Sequence, residues 1–241
     1  MPFAVDPKPA TEPKPRSQQA PRWAELYRSL VTTPEVAVQA VKSGDRVYIH
    51  PGCASPEPLI EALCGRAPVL TNVEAVHLLT MGKAGHTLPE MEGHFRHNAM
   101  FIGANSRQAV AEGRADYTPI FLGEIARLFR EDALPIDVAL IQVSPPDAHG
   151  FCSLGVGVDH TLDAARHARH VIAEVNDRMP RTHGDAFLHV RQFHAVVETS
   201  RALPELVGEP GDAVTEVIGR NAAALIGDGD KFPRLVDGDA I

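Results

Sequence analysis

The sequence predicts an α/β fold: an open, mainly parallel sheet with helices on both faces. Three observations carry this. Val138, Ala139, Leu140, Ile141 and Val143 form a nearly continuous apolar run, as suits a strand covered on both faces. Strand-like and helix-like stretches alternate from Trp23 onward, the pattern of a parallel sheet with crossover helices. The strands end in polar, turn-forming residues at His50 to Ser55, Thr80 to His86, Ser144 to Gly150 and Asn176. In a parallel sheet these ends share one edge and line one crevice, where open α/β sheets bind ligands.

Trp23, Leu26, Tyr27 and Leu30 recur at helical spacing and open the ordered chain. Thr33 caps a second helix, with Pro34 at its first position and Ala37, Ala40 and Val41 inward. Ser43-Gly44-Asp45 stops it. Arg46 to His50 is a short strand, and Pro51-Gly52-Cys53-Ala54-Ser55 a tight turn of small residues. Pro56 opens the next helix, with Leu59, Ile60 and Leu63 inward. Such a strand, small-residue loop and helix lets a ligand approach the backbone at a helix N-terminus.

Val73 to Thr80 reads as the next strand, and Met81 to His86 as a second small-residue loop. Glu90 to Asn98 reads as a polar segment holding His94 and His97. With His86 these invite a metal reading, since i, i+3 on a helix presents two ligands together. No frame of a known metal site surrounds them, so no metal is expected. Ala99 to Ile102 is expected as a strand. A helix with Val110 inward follows and ends at Gly113. Arg114 and Asp116 are expected to form a structural ion pair. Thr118 to Phe121 reads as a strand, and Gly123 to Arg130 as a helix with Ile125, Leu128 and Phe129 inward.

After the central strand, Ser144-Pro145-Pro146 removes backbone donors and ends the strand. Asp147 and His149, two residues apart beyond a strand end, are site candidates. From spacing alone, their use in satisfying turn hydrogen bonds outweighs a ligand role. Gly155-Val156-Gly157 lacks the dinucleotide fingerprint, so a nicotinamide cofactor is excluded. Asp159 is expected to cap a helix through Leu162 and Ala165. His170 to Val175 is another buried strand, ending at Asn176-Asp177, and Phe193 to Val197 an edge strand. Asp212 caps a last helix with Val214, Val217, Ile218 and Leu225 inward and Gly227 beyond its end.

The chain has 241 residues, 44% hydrophobic and 22% charged, and a net charge of -8. That composition fits a globular protein and argues against a nucleic-acid partner. Cys53, Cys64 and Cys152 are odd in number and lack metal-ligand spacing, so reduced thiols and a cytoplasmic location are expected. No apolar run is long enough to cross a bilayer, so no membrane partner is expected. Residues 1–20, rich in Pro and holding Lys, Glu and Gln, read as a disordered tail.

Several segments together resemble the acetyl-CoA hydrolase/CoA-transferase family, which includes 4-hydroxybutyrate and succinyl-CoA:acetate CoA-transferases. They are Ser43-Gly44-Asp45-Arg46-Val47, Asn72-Val73-Glu74, His94-Phe95-Arg96-His97-Asn98 and Phe101-Ile102-Gly103-Ala104-Asn105. Glu112 to Tyr117, Val143 to Gly150 and Met179 to Asp185 complete the set. The resemblance covers about Pro34 to Ile226 and implies the family's N-terminal domain, here residues 21–227.

In the family a glutamate carboxylate attacks the acyl-CoA carbonyl. A mixed anhydride forms, then a glutamyl-CoA thioester, and an acceptor carboxylate collects the CoA. That glutamate and the glycine-rich CoA loop belong to a second domain. No residue here matches the glutamate, so no catalytic residue is assigned. Glu57, Glu61 and Glu112 read as solvent-facing helical residues. Residues 228–241 form an atypical tail instead of the expected loop. The resemblance thus implies coenzyme A as substrate, no bound cofactor, and an acyl-CoA and a small carboxylate as ligands. It implies a catalytic C-terminal domain on another chain as partner, and a homo-oligomer as one expected assembly. The alternative is a non-catalytic truncated remnant or interaction domain. Gly52, Ser55, Ser144, Asp147, His149, Gly150 and Asn176 are the residues expected to line the crevice and contact substrate.

Overall fold

The computed structural model describes residues 22–229, apart from positions 80, 206, 207, 209 and 210. The tail expected at 1–20, most of that expected at 228–241, and Thr80 lie outside the described residues. The main sheet has seven strands: β1 (Arg46–Ile49), β2 (Val73–His77), β3 (Phe95–Ala99), β4 (Ala115–Tyr117), β5 (Val138–Val143), β7 (His170–Asn176) and β9 (Ala195–Thr199). Their order is β4-β3-β2-β1-β5-β7-β9, with every neighbouring pair parallel. A short antiparallel ladder joins β6 (Phe151–Ser153) to β8 (Phe187–His189).

The chain builds outward from β1 to β4, then restarts beside β1 with β5. The direction of winding reverses between β1 and β5. At such a switch point the two flanking loops part and leave a crevice. Tyr48 pairs with Ala139 and Val47 with Val138 at this junction.

Two apolar cores cover the two faces, sorted by the period of two along each strand. Val47, Ile49, Val138 and Leu140 pack with α2 (Pro34–Ala37) and α3 (Glu57–Gly65). Tyr48, Ala139, Ile141 and Val143 pack on the other side. There they meet Ile125 and Phe129 of α5 (Leu122–Arg130), Leu162 and Ala165 of α6 (Thr161–His167), and Trp23 and Tyr27 of α1 (Arg22–Leu30). The short α4 (Arg107–Ala111) leads into β4. Thr33 caps α2 by accepting from Val36 N–H.

Several expectations need correction. The segment read as polar between Glu90 and Asn98 contains β3, and the strand expected at Ala99 to Ile102 lies four residues earlier. Its polar residues are satisfied across strands, which the hydropathy pattern cannot register: Asn98 donates to Glu74 at 2.8 Å and Arg96 pairs with Asp116 at 2.5 Å. The strand expected at Thr118 to Phe121 is β4, again earlier. Arg114 pairs not with Asp116 but with Glu112, at 2.6 Å, because Arg96 on the neighbouring strand takes Asp116. His94 and His97 do not share a helix: His94 bonds the Leu70 carbonyl and His97 lies buried on β3.

The last helix, α7 (Ala213–Ala223), is capped by Asp212 accepting from Thr215 N–H at 2.8 Å. Its expected inward residues Val214, Val217 and Ile218, and Leu225 beyond it, are exposed.

Candidate functional site

The loops after β1 and β5 leave the sheet side by side at the switch point, and a buried polar network holds them. His50 follows β1 directly. Its Nδ1 accepts the Gln142 N–H of β5 at 3.1 Å, so that nitrogen carries no proton. Its Nε2 then donates to the Gly157 carbonyl at 2.6 Å. The two backbone groups fix a neutral tautomer. Burial pushes the imidazole down to about 4, against the opposing pull of Asp159.

Gln142 and Glu174 face one another in register on β5 and β7. The Gln142 amide donates to the Ser55 carbonyl at 3.2 Å and accepts from Asn176 at 2.8 Å. Glu174 is fully buried and accepts from Arg201 Nε at 2.6 Å and Thr199 Oγ1 at 2.8 Å. Arg201 also donates to the Ser55 carbonyl at 2.6 Å. Asn176 donates to the Arg201 carbonyl at 2.9 Å and accepts its N–H at 3.2 Å. The β1 loop is therefore clamped at Ser55 by donors from β5 and from the chain leaving β9. The buried carboxylate is neutralised by the Arg201 guanidinium and hydrogen-bonded by the Thr199 hydroxyl, as burial of a charge requires.

The expected site residues fall into two groups. Gly52, Ser55 and Asn176 belong to the clamped loop. Gly52 adopts φ +60, which suits glycine, and donates to the Leu79 carbonyl at 2.7 Å. It thereby ties the β1 loop to the β2 loop. The Ser55 hydroxyl donates to Glu57 at 3.2 Å. Glu57 also faces Lys83 N–H, so it is half-buried between two crevice loops rather than simply solvent-facing.

Ser144, Asp147, His149 and Gly150 form the turn between β5 and β6. Ser144 Oγ accepts the Ser153 N–H at 2.9 Å. Asp147 accepts the N–H groups of His149 at 2.8 Å and Phe151 at 2.9 Å, and pairs with Arg181 at 2.7 Å. Burial would raise its carboxyl, but those amides and the guanidinium outweigh it and hold it below the usual range. The carbonyl of the exposed His149 accepts from His189 Nε2 at 3.1 Å, since His189 Nδ1 accepts the Arg191 N–H. Gly150 is packed so tightly that a Cβ would meet Trp23 at 2.9 Å. None of the described hydrogen bonds links this turn to the Ser55–Asn176 network.

The sequence reading passed over Gln142, Glu174 and Arg201. A signal existed for the first two: each is a polar side chain inside an otherwise apolar strand run, and such a group must find buried partners. Arg201 lies beyond the last strand and carries no local signal. Among the described residues, no group of three or more His, Cys, Asp or Glu could hold a metal ion, and no helix is long and apolar enough to cross a membrane.

Comparison with known proteins sets this geometry in context. Residues 14–207 match the model of the acetyl-CoA hydrolase/transferase N-terminal domain. The chain is 46% identical over 207 residues to a 4-hydroxybutyrate coenzyme A transferase of Clostridium kluyveri, covering 86% of this chain and 48% of that protein. It is 43% identical over 192 residues to a succinyl-CoA:acetate/propanoyl-CoA:succinate CoA transferase of Fasciola hepatica, covering 78% and 40%. Among solved structures, RipA from Yersinia pestis superposes with a TM-score of 0.82 at 31% identity, covering 86% of this chain and 51% of that one. A 4-hydroxybutyrate CoA-transferase from Porphyromonas gingivalis gives 0.74 at 33% identity, covering 87% and 49%. The chain spans about half the length of the relatives it matches.

Proposed function

The chain belongs to the acetyl-CoA hydrolase/transferase family, and from that premise we propose that it forms the N-terminal wall of a CoA-transferase active site. The reaction moves CoA between short-chain acyl thioesters and carboxylates. The observation that carries this reading is the 46% identity over 207 residues to a 4-hydroxybutyrate coenzyme A transferase. The carboxyl-edge crevice supports it, because that edge is where an open α/β sheet receives ligands.

The nucleophile comes from a domain equivalent to the part of the relatives that this chain does not match. There a glutamate attacks the thioester carbonyl and expels CoA as thiolate. The thiolate then attacks the glutamyl carbonyl of the anhydride, releasing the acyl group as carboxylate. The acceptor carboxylate then attacks the glutamyl-CoA thioester and expels CoA thiolate. The thiolate attacks the acceptor carbonyl of this second anhydride, giving the new acyl-CoA and freeing the glutamate. The glutamyl group stays activated between the two halves. Residues of this chain bind and orient. Gly52 and Ser55 shape the loop against which the acyl group lies, and Asn176 and Gln142 hold that loop in place. Ser144, Asp147, His149 and Gly150 form the second lip. Water as acceptor would give the hydrolase reaction; a carboxylate gives transfer.

The test combines the chain with a polypeptide equivalent to the remaining half of the Clostridium relative. CoA transfer from acetyl-CoA to 4-hydroxybutyrate, butyrate and succinate is followed by chromatography of the thioesters. Transfer by the assembly and none by the chain alone is the expected result. A folded assembly that exchanges no CoA would overturn the reading in favour of a non-catalytic interaction domain. Turnover by the chain alone would place the nucleophile among these residues.

A further inference from the structure

Three imidazoles are buried together away from the Ser55 clamp: His77 at the end of β2, His97 on β3, and His86 in the loop that follows β2. His77 and His97 share one face of the sheet, the face on which α3 packs: in register they flank Ala75 and Ala99. Their rings lie 6.2 Å apart. His86 reaches down from a 3-10 turn, Gly85–Thr87, and its Nε2 lies 3.1 Å from His97 Nδ1. The rings are 5.1 Å apart and tilted by 47°. One nitrogen of this contact donates and the other accepts, so the docked pair holds at most one extra proton. His86 Nδ1 is buried with no hydrogen-bond partner.

We propose that the His86–His97 contact is a proton-operated latch: neutral, it docks the loop following β2 onto β3 at the crevice rim, and protonated, it releases that loop. The inference does not depend on the transferase reading.

The surroundings of the pair favour release over rescue. From β2, His77 faces His97 and adds a third imidazole. From the segment between α4 and β4, Arg114 holds the Thr87 carbonyl at 2.6 Å beside His86, a fixed positive charge. Its partner Glu112 is spent on it at 2.6 Å. On α3, Cys64 lies against Gly85, while Glu61 pairs with Lys83 at 2.7 Å and Glu57 faces Lys83 N–H and Ser55. Glu74, Arg96, Asn98 and Asp116 are one residue out of phase and lie on the opposite face. Among the described residues neither His86 nor His97 hydrogen-bonds a carboxylate, so nothing compensates a buried imidazolium. Burial, and then the neighbouring imidazoles, push His86 well down; burial pushes His97 to about 4.

Ala84 sits at φ 49, the left-handed region that costs a non-glycine residue strain. Remaining ties include the exposed Lys83–Glu61 pair and Asn105 on the Gly82 carbonyl.

Linkage sets the size of the effect. A docked imidazole titrates below the ordinary 6.5, so the released loop binds more protons and gains as pH falls. One freed histidine raises the opening constant about 25-fold between pH 7 and pH 5. Amide hydrogen exchange on the full chain, corrected for the intrinsic pH dependence, reads this directly. The amides of Thr87, Leu88, Met91 and Glu92, each bonded within the loop, report opening; those of β5 are the reference. The expected result is a rise of about 25-fold in the loop, absent from β5 and absent from the loop of a His86→Phe variant. Equal corrected exchange at both pH values overturns the latch, as does an equal rise in loop and β5. A retained rise in His86→Phe overturns it too. If that variant fails to dock its loop at pH 7, the wild-type comparison decides alone.

Discussion

Removing Arg201 isolates what the buried clamp contributes. In an Arg201→Leu variant, Glu174 keeps its fully buried position but loses donors at 2.6 and 3.2 Å, leaving only Thr199 Oγ1 at 2.8 Å. Breaking a buried pair from one side costs about 3–5 kcal/mol, because the remaining charge is stranded. The Arg201 side chain is 22% exposed, so the lower end applies. The lost bond to the Ser55 carbonyl adds about 1 kcal/mol. The variant should unfold about 3–5 kcal/mol more easily at pH 7. Urea denaturation with an unchanged m-value measures this, and the melting temperature should drop by about 6–20 °C for a domain of this size. Adding Glu174→Gln to Arg201→Leu replaces the stranded charge with a neutral amide. A cycle of the four proteins should give a coupling of at least about 1.5 kcal/mol. A loss under about 1 kcal/mol from Arg201→Leu, or coupling near zero, would refute the claim that the pair is desolvated and mutually required.

Other consequences follow from single contacts. The His50 imidazole has a folded value near 4, below the ordinary 6.5, so the unfolded chain binds its proton first and stability falls as pH drops through this window. About 2 kcal/mol is lost between pH 7 and 4.5 from this residue; a His50 proton resonance titrating near 6.5 instead would refute the desolvation of its imidazole. A Cβ at Gly157 would lie 2.4 Å from His50 Nε2, whereas one at Gly65 would meet nothing within 4 Å. Gly157→Ala should therefore cost about 1–3 kcal/mol in thermal melts while Gly65→Ala is neutral or slightly stabilising. Asp147→Ala should lower stability by about 1 kcal/mol through its lost amide bonds and Arg181 pair, and the exposed His149→Ala by under about 0.5 kcal/mol. Equal transferase activity of both variants and the parent in the two-part assembly would remove them from the crevice lip. Ile218→Ser, on the exposed face of α7, should leave the unfolding free energy of the chain within about 0.5 kcal/mol of the parent.

The sheet was legible because its strands are buried on both faces. Val138–Val143 is buried at every position, and the continuous apolar run announces that directly. β3 was misplaced for the converse reason. Phe95-Arg96-His97-Asn98-Ala99 has three polar residues in five, yet Asn98 and Arg96 bond Glu74 and Asp116 on the strands to either side. Partners 20 or more residues away make a polar strand possible, and no local window contains them. α7 shows the reverse error. Its apolar stripe reads as an inward face, but amphipathicity states only that a face is available to pack, not what packs on it.

The carboxyl edge of the sheet was legible as a place; the contacts that hold its loops were not. Polar residues at strand ends mark the carboxyl edge, and the reversal between β1 and β5 puts the loops of Gly52 and Ser55 at the switch point. Such residues are visible because turns select them by type. The groups that hold the loops are different: Gln142 and Glu174 sit inside strands, one position out of phase with Ile141, Val143, Ala173 and Val175. Burying such groups requires partners, and here Gln142 bonds Ser55 and Asn176 while Glu174 bonds Arg201 and Thr199. A buried polar residue interrupting an apolar strand is thus a sharper indicator of where a sheet edge is being held in shape than a polar residue in the turn beyond it. The turn residue has water as an alternative partner, and the strand residue does not.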